Sequence, residues 1–351
     1  MDRLVPTTVS SQRTPRQATE QPVTAPPSAR ALVVGEVLWD ALPRGLFIGG
    51  APFNVAAHLH TLGVDACFVS RVGDARLGRE VCRRVTQRGL AADLVQVDTG
   101  HETGFVEVDL EHDGIPSYTI VEPVAWDHIA WTDGLAAEAD GASMVIFGSL
   151  AQRSPTTRAT LERMLSATPT ATAVFDINLR APFVDRAVVE RSLARADIVM
   201  LNDDELVLLQ AWYGLPDGMD ASAEGLMERF AVDTLCVTRG AEGALLWHEG
   251  ERYAHPGYQA NVVDTVGSGD AFLAMLLTQL LAGAPGAEAL DWANRLGAYV
   301  AGQPGATPVY SRRDLFDLPA KLAMLSPTRS PLLGDLPCVR SIERVPCSDE
   351  S

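Results

Sequence analysis

Short apolar runs alternate with amphipathic stretches through the middle of this chain of 351 residues, and this alternation constrains the fold more than any other feature. Runs rich in branched apolar residues predict strands at 31–37, 67–71, 144–147, 173–176, 198–201 and 235–238. Amphipathic stretches with the helical period follow most of them, at 53–62, 77–88, 156–165 and 203–210. Repeated strand–helix units favour an α/β fold with a doubly wound, mostly parallel sheet and helices on both faces. In such sheets, ligands bind beyond the carboxyl ends of the strands.

Two segments depart from this alternation. Residues 103–110 and 117–121 alternate apolar and polar side chains on either side of His112-Asp113-Gly114, which is typical of a β-hairpin. Residues 42–48 form another short apolar piece. The segments at about 41–48 and 103–121 therefore predict a small β-sheet that projects from the main domain as a lid; an ordinary edge hairpin is the alternative.

Composition restricts the partners and the compartment. No stretch approaches the ~18–20 uncharged apolar residues of a membrane-spanning helix, and the net charge of −17 disfavours nucleic acid and anionic membranes as partners. The five cysteines include no Cys-x-x-Cys pair, which indicates a reducing compartment. Residues 1–30 and 326–351 are predicted to be disordered tails around one domain at 31–318. The first tail lacks the apolar core of a signal peptide, so we expect a cytoplasmic protein.

Lysine is almost absent, which excludes several kinds of site. The sequence contains only Lys321, followed by Leu322, so it has no Gly-Lys-Ser/Thr phosphate-binding loop. A strand lysine of the protein-kinase type and a Schiff-base lysine for pyridoxal phosphate are equally absent. Backbone amides, arginine or a metal ion would have to bind any nucleotide phosphate.

The segment with the most specific chemistry is Asp264-Thr265-Val266-Gly267-Ser268-Gly269-Asp270, which precedes a long apolar helix pattern. Consecutive backbone amides at a glycine-rich helix start can turn toward one anion, and the helix dipole adds positive potential there. A carboxylate in the first turn, Asp270, could accept a proton from an attacking hydroxyl. The alternative is that Asp270 only caps the helix.

A second glycine pair, Gly49-Gly50, precedes a helix whose first turn contains Asn54. We expect residues 35–40 to end the first strand and to present Glu36 and Asp40 at the same edge. Carboxylate and amide side chains at such an edge suit the hydroxyl groups of a sugar. A turn with helix capping is the alternative, and the missing Gly-x-Gly-x-x-Gly argues against a dinucleotide-binding fold.

Other short segments are weaker signals. Asn202 and Glu205 flank the start of a helix, where carboxylates could organise Mg²⁺ through water, although a simple N-cap explains them too. Residues 238–243 form a glycine turn between strands that could approach a nucleotide. The seven histidines show no zinc spacing, and His58 and His60 do not share a helix face.

Taken in this order, the segments resemble the ribokinase-like (PfkB-type) carbohydrate kinases, and within them the bacterial fructokinases most closely. The resemblance runs from about 31 to about 317. Its strongest signatures are the Gly49-Gly50 segment with Asn54 and the 264–270 segment. Further matches lie at 35–40, 70–74, 118–127 and 175–180. Two departures are Ser268, where alanine is more frequent, and Met275, where glycine is usual.

The resemblance implies a role for each matching residue. Asp270 would be the general base, with an anion hole formed by the amides of Gly267, Ser268 and Gly269. The residues that would contact the sugar are Asp40, Gly49, Gly50, Asn54, Phe105 and Arg180. Those on the nucleotide side would be Asn202, Glu205, Thr238, Gly240, Gly243 and Asn294. Glu205 would act on Mg²⁺ through water, and Asp264 and Val266 would form one edge of a site for a monovalent cation such as K⁺, with carbonyls of 301–309 as the other.

The function that the resemblance implies is phosphorylation of a sugar by ATP with Mg²⁺, with D-fructose as the expected substrate. A kinase for another sugar or a sugar acid, such as 2-keto-3-deoxygluconate, stays open, as does a non-catalytic sugar-binding regulator. The expected partners are the sugar and ATP, with a homodimer as the candidate assembly.

Overall fold

A central sheet of nine strands organises the protein, as seen in a computed structural model that describes residues 29–42, 45–110, 116–311 and 323–324. The strands of the described residues are β1 (Arg30–Val34), β2 (Leu38–Leu42), β3 (Gly45–Gly49), β4 (Asp65–Gly73), β5 (Val95–Asp98), β6 (Gly104–Leu110), β7 (Pro116–Ile120), β8 (Met144–Gly148), β9 (Thr172–Asp176), β10 (Ile198–Asn202), β11 (Thr234–Thr238), β12 (Ala244–His248), β13 (Glu251–His255), β14 (Tyr258–Gln259) and β15 (Ala323–Met324). The central sheet has the order β13-β12-β11-β10-β9-β8-β1-β4-β5. Its seven strands from β11 to β5 are parallel, and β12 and β13 extend one edge in antiparallel pairing.

Helices cover both faces of this sheet. They are α1 (Ala51–Thr61), α2 (Arg76–Gln87), α3 (Asp133–Ala139), α4 (Pro155–Ala167), α5 (Arg186–Leu193), α6 (Asp203–Tyr213), α7 (Met219–Phe230), α8 (Ser268–Leu281) and α9 (Gly286–Ala301). One buried cluster joins the sheet to α1, α2, α8 and α9, and a second joins it to the five others. Within β1, Ala31 and Val33 belong to the first cluster and Leu32 and Val34 to the second, as the pleat of a doubly covered strand requires. The predicted doubly wound fold is therefore confirmed.

A second, smaller sheet of four strands, which we call the small sheet, has the order β3-β2-β6-β7. The antiparallel pair of β6 and β7 confirms the predicted hairpin strands, while its turn at 111–115 lies outside the described residues. The expectation that residues 35–40 end the first strand is wrong, because β1 ends at Val34 and the chain leaves the central sheet there. Gly35, with φ of 153°, makes this break, and β2 then pairs with β3 and β6.

The break is hidden in the sequence because burial continues across it. Val37, Leu38 and Trp39 are as buried as the residues of β1, so the apolar run does not stop where the strand stops. The small sheet consequently begins at Leu38, before the expected start at about 41.

The predicted tails fall almost wholly outside the described residues, and so does the end of the predicted domain at 318. The exceptions are Ala29 and Arg30. The short strand β15, which pairs with β14, lies between the predicted domain end at 318 and the predicted tail that starts at 326. Within the part of the chain that the structure describes, no helix is both long and apolar enough to cross a membrane.

A buried ion pair fastens the base of the small sheet to the main domain. The guanidinium of Arg153 donates two hydrogen bonds of 2.8 Å to the carboxylate of Asp127 and a third of 2.8 Å to the carbonyl of Val121, just after β7. It lies between the rings of Trp126 and Phe183, at 3.9 and 4.5 Å from their centroids. Both charged side chains are almost fully buried, so neither can exchange its partner for water.

We expect Asp127→Ala to lower the free energy of unfolding by about 3–5 kcal/mol, because it leaves the Arg153 charge buried without its counter-charge. Urea denaturation measures this change. The matched control is Asp220→Ala, which breaks an exposed pair with Arg252 and should cost less than about 1 kcal/mol. Equal losses for the two variants would contradict the assignment of Arg153 and Asp127 as the fastening.

Candidate active site

A cavity of about 540 Å³ lies between the carboxyl edge of the central sheet and the small sheet. We call it the acidic cavity, because four carboxyl groups and a single guanidinium line it: Glu36, Asp40, Asp264, Asp270 and Arg180. Its floor is formed by the first turns of α1 and α8, and its roof by apolar side chains of the small sheet: Leu38, Phe47, Ile48, Val106 and Ile120. The position agrees with the rule that ligands bind beyond the carboxyl ends of parallel strands.

Asp270 stands at the centre of the floor, in the first turn of α8 as the sequence predicts. The side-chain amide of Asn54, in the first turn of α1, donates a hydrogen bond of 2.8 Å to its Oδ2. Burial raises the pKa of Asp270 to about 6, although the hydrogen bond from Asn54 and the charge of Arg180 both act to lower it. A carboxylate with this pKa is mostly ionised at neutral pH and can take up a proton there.

Further carboxyl groups cluster around Arg180. Burial raises the pKa of Glu36 to about 7, and the nearby Asp270 contributes to the rise. The pKa of Asp176 is well above its ordinary value because the group is buried and lies near Asp270, Glu205 and Glu36. The charge of Arg180 lowers the pKa values of Glu36, Asp176, Glu205 and Asp270. A single guanidinium therefore partly neutralises a site that is otherwise acidic.

The turn before α8 has the shape of an anion site. Gly267 has φ of 78°, and a Cβ atom there would lie 2.4 Å from the Cβ of Ala306, so only glycine fits. The N–H groups of a helix's first turn have no acceptor within the helix and point along its axis. The Ser268 amide also donates to the Thr265 carbonyl at 3.2 Å, which makes Gly267 and Gly269 the better-placed donors.

The second glycine segment shapes the other wall of the acidic cavity. Asp40 lies on β2, where it pairs with Phe47, and a Cβ atom added at Gly49 would come within 2.3 Å of its Oδ2. Burial, followed by the charge of Asp264, raises the pKa of Asp40 to about 6. Gly50 has φ of 110° and would bring a Cβ within 2.4 Å of the Glu36 carbonyl. Gly50 therefore allows an approach to the backbone of Glu36 that any other residue would block, and Gly49 leaves room for the carboxylate of Asp40.

Phe105 does not line this cavity. The sequence predicts that it reaches a ligand, but its ring packs against the apolar core, and the next residue, Val106, faces the cavity. Successive side chains of a strand point to opposite faces, so an error of one residue reverses the assignment.

A neighbouring cavity of about 350 Å³ holds the remaining candidate residues. We call it the glycine-rich cavity; among the residues that line it are Thr238, Gly240, Gly243, Gly257, Gly269, Asn294 and Gly297. Thr265 and Gly269 line both cavities, so the two meet at the first turn of α8. The sequence candidates Thr238, Gly240, Gly243 and Asn294 thus come together on one side of Asp270, and Asp40, Asn54 and Arg180 on the other.

Asn202 and Glu205 line neither cavity. They form a reciprocal cap at the start of α6, in which Asn202 Oδ1 accepts from the Glu205 N–H at 2.8 Å and Glu205 Oε2 accepts from the Asn202 N–H at 2.9 Å. Glu205 Oε1 accepts from the Leu179 N–H at 2.7 Å, which fixes the loop that carries Arg180. Across the described residues, no three His, Cys, Asp or Glu side chains lie close enough together to hold a metal ion.

Sequence reasoning missed Asp176, Asn178 and Thr265. Asn178 and Thr265 line the acidic cavity, and Asp176 lies beside it at the end of β9. A simple signal could have found Asp176 and Asn178, because polar residues at or just after the end of an apolar strand lie at the carboxyl edge of the sheet, where ligands bind. Thr265 lies in the glycine-rich turn before α8, where exposed polar side chains are also candidates for ligand contact.

Comparisons with known proteins identify relatives in sequence and in fold. The sequence pattern of the pfkB family of carbohydrate kinases matches residues 44–312. A fructokinase of Escherichia coli is 30% identical over 264 residues, covering 72% of this chain and 85% of the relative. A 2-dehydro-3-deoxygalactonokinase of Haloferax volcanii is 30% identical over 267 residues, covering 74% and 83%. Among solved structures, a fructokinase of Vibrio cholerae O395 with bound fructose, ADP and calcium superposes with a TM-score of 0.71 at 25% identity, over 84% of this chain and 99% of that one.

We expect Glu36→Gln to stabilise the protein more at pH 8 than at pH 4.5. The folded pKa of about 7 lies above the ordinary 4.5, so the folded protein binds more protons than the unfolded chain within this window. The contribution of the neutral Glu36 carboxyl group to the free energy of unfolding is complete below pH 4.5 and is lost as the pH rises through about 7.

The difference in unfolding free energy between Glu36→Gln and wild type should therefore grow by roughly 3 kcal/mol between the two pH values. Urea denaturation at each pH measures it. Glu251→Gln, an exposed position on β13, serves as the control and should show no such growth. A pH-independent difference for Glu36→Gln would refute the buried-acid assignment.

Proposed function

The chain belongs to the pfkB family of carbohydrate kinases, and we propose that it transfers the γ-phosphoryl group of ATP to a hydroxyl group of D-fructose. The observation that carries this proposal is the meeting of the two cavities at Gly269 and Thr265, beside Asp270. A sugar in the acidic cavity and a nucleotide in the glycine-rich cavity would face each other across the first turn of α8.

The proposed chemistry uses groups of that turn. Asp270 accepts the proton of the attacking sugar hydroxyl. The oxygen of that hydroxyl forms a bond to the γ-phosphorus of ATP, and the bond between the γ-phosphorus and the bridging oxygen of the departing ADP breaks. Asn54 occupies Oδ2 of Asp270, which leaves Oδ1 for the hydroxyl. The amides of Gly267 and Gly269, with that of Ser268, stabilise the charge on the transferring group.

Sugar binding is assigned to the polar floor and wall of the acidic cavity. Asp40 and Asn54 would accept and donate hydrogen bonds to hydroxyl groups, Gly49 and Gly50 would let the backbone approach the sugar, and Arg180 would contact the sugar or the phosphoryl group. Val106 and Ile120 replace Phe105 as the roof contacts from β6 and β7. The small sheet acts as the lid in this proposal, since closing its apolar roof over the sugar would exclude water from the reaction.

Nucleotide binding is assigned to the glycine-rich cavity, with Thr238, Gly240, Gly243 and Asn294 as its contacts. Mg²⁺ would neutralise charge on the phosphates. Both carboxylate oxygens of Glu205 already accept backbone N–H groups, so that residue and Asn202 fit an outer, water-mediated role rather than direct ligation.

The segment Asp264–Val266 would provide only some of the ligands of a monovalent cation such as K⁺, because several oxygen atoms nearby already accept hydrogen bonds. Asp264 Oδ1 accepts from the Val266 N–H at 3.0 Å, and the Ala301 carbonyl accepts from the Val263 and Asp264 N–H groups. The Ala306 carbonyl is likewise in use. Other carbonyls of 301–309 would have to provide the remaining ligands.

A second substrate class has support from one relative, the 2-dehydro-3-deoxygalactonokinase of Haloferax volcanii. Arg180 could pair with the carboxylate of such a sugar acid. The four carboxyl groups that line the acidic cavity oppose an anionic substrate, and we therefore favour a neutral sugar. A non-catalytic regulator would not need a carboxylate beside an anion-binding turn.

We expect Asp270→Asn to lower kcat by about 10²–10⁴-fold, the usual effect of removing a general base, while ATP binding persists. In the wild type, kcat/KM for the sugar should fall as the pH drops through about 6, because the base is then protonated. Coupled ADP-release assays across pH 5–8 and calorimetry with ATP provide the measurements.

Asp133→Asn is the matched control for this change, because Asp133 is also an acid in the first turn of a helix, α3, away from both cavities. If Asp270 served only as a helix cap, the two variants would behave alike and retain wild-type turnover.

We expect D-fructose to give the highest kcat/KM in a panel of neutral hexoses and sugar acids. Asp40→Ala should lower kcat/KM for the sugar by about 10–150-fold, because a hydrogen bond to a charged group contributes ~1.5–3 kcal/mol. The KM for ATP should stay nearly unchanged. Glu107→Ala, an exposed acid of the small sheet, is the control. A preference for a sugar acid, or an effect of Asp40→Ala on ATP alone, would overturn the fructose assignment and leave the role of Asp270 intact.

A further inference from the structure

His58 lies on α1 four residues after Asn54, and its imidazole is 1% exposed. Its Nε2 lies 3.0 Å from the carbonyl oxygen of Ala306, and its Nδ1 lies 2.5 Å from the hydroxyl of Tyr310. The imidazole and the Tyr310 ring are nearly parallel, with centroids 5.6 Å apart. One side chain of α1 therefore holds two points of the loop at 304–310.

The partners define the protonation state of this imidazole. A carbonyl oxygen only accepts, so Nε2 carries the hydrogen and donates it to Ala306. The neutral ring then has a bare Nδ1, which accepts from the Tyr310 hydroxyl. Burial lowers the pKa of His58 to about 4, so the ring stays neutral over the physiological range and the two hydrogen bonds keep their direction.

The loop that His58 holds forms the wall behind the anion-binding turn. The Cβ of Ala306 approaches Gly267 so closely that a side chain at Gly267 would overlap it. Pro304, Gly305 and Ala306 also line the acidic cavity. A displacement of Ala306 would consequently move or release Gly267, whose amide we assign to the anion hole.

We propose that His58 is a positioning residue, which sets the geometry of the anion-binding turn by holding Ala306 against Gly267. This inference rests on the proposed phosphoryl transfer. Along one rigid helix, Asn54 orients the carboxylate of Asp270 and His58, one turn later, supports the wall behind Gly267. The helix thereby keeps the base and the anion hole in register, and a misplacement of about 1 Å can cost about 10²-fold in rate.

Two amide substitutions separate the hydrogen bonds. The amide of His58→Gln reaches the position of Nε2 and can still donate to Ala306. The shorter amide of His58→Asn reaches only the position of Nδ1, so it keeps the Tyr310 contact and loses Ala306. Both variants are neutral and polar. His60→Gln, two residues along on the exposed side of the same helix, is the control.

The first measurement is steady-state kinetics with the best sugar of the panel. We expect His58→Asn to lower kcat by about 10–100-fold with KM for ATP and sugar nearly unchanged. His58→Gln should stay within about threefold of wild type, and His60→Gln should match wild type. A structural role in packing alone would give the two amide variants equal kcat, and that result would overturn the proposal.

The second measurement does not depend on activity. Hydrogen exchange of the backbone amides at 265–269 should be faster in His58→Asn than in His58→Gln at pH 7, with α4 unchanged as the internal reference. Unchanged exchange at 265–269 in His58→Asn would overturn the positioning role. A wild-type enzyme that phosphorylates no sugar would instead refute the proposed function, so the two failures are distinguishable.

Discussion

The hydrogen bond from Asn54 to Asp270 joins the first turns of α1 and α8, and the arrangement of the site depends on it. Each helix begins at the carboxyl edge of the parallel sheet, directly after a glycine with positive φ, Gly50 or Gly267. Because the positive ends of both helix dipoles face the same space, the edge attracts negative charge. Removing the contact between the two side chains would leave Asp270 free to turn away from the acidic cavity.

Desolvation sets the chemical character of this edge. Glu36, Asp40 and Asp270 have raised pKa values mainly because the protein takes their carboxyl groups out of water. The charge of Arg180 reduces the desolvation cost of the ionised Glu36 and Asp270 without cancelling it. The outcome is a cluster of acids that ionise near neutral pH, which suits proton transfer better than fully solvated carboxylates, with pKa values near 4, would.

The scaffold around the site is tied together by side chains that never touch the acidic cavity. Arg153 binds the base of β7 to the turn at Asp127, and His58 binds α1 to the loop at Ala306. Such buried polar contacts are directional, so they restrict how the walls can move more tightly than apolar packing does. They hold the base of the small sheet at Val121 and the loop at Ala306 in place relative to the main domain.

The sequence by itself determined the strands and helices of the doubly wound sheet, and it placed Asp270 in the first turn of α8. Apolar periodicity and glycine position are local properties, and they were sufficient for those elements. Tertiary structure alone decided that β1 ends at Val34, that Val106 rather than Phe105 faces the cavity, and that His58 meets Ala306. Each of these depends on which distant segment a strand or helix packs against: a buried run looks continuous across a break, one residue reverses a strand's faces, and His58 contacts a loop 248 residues away along the chain.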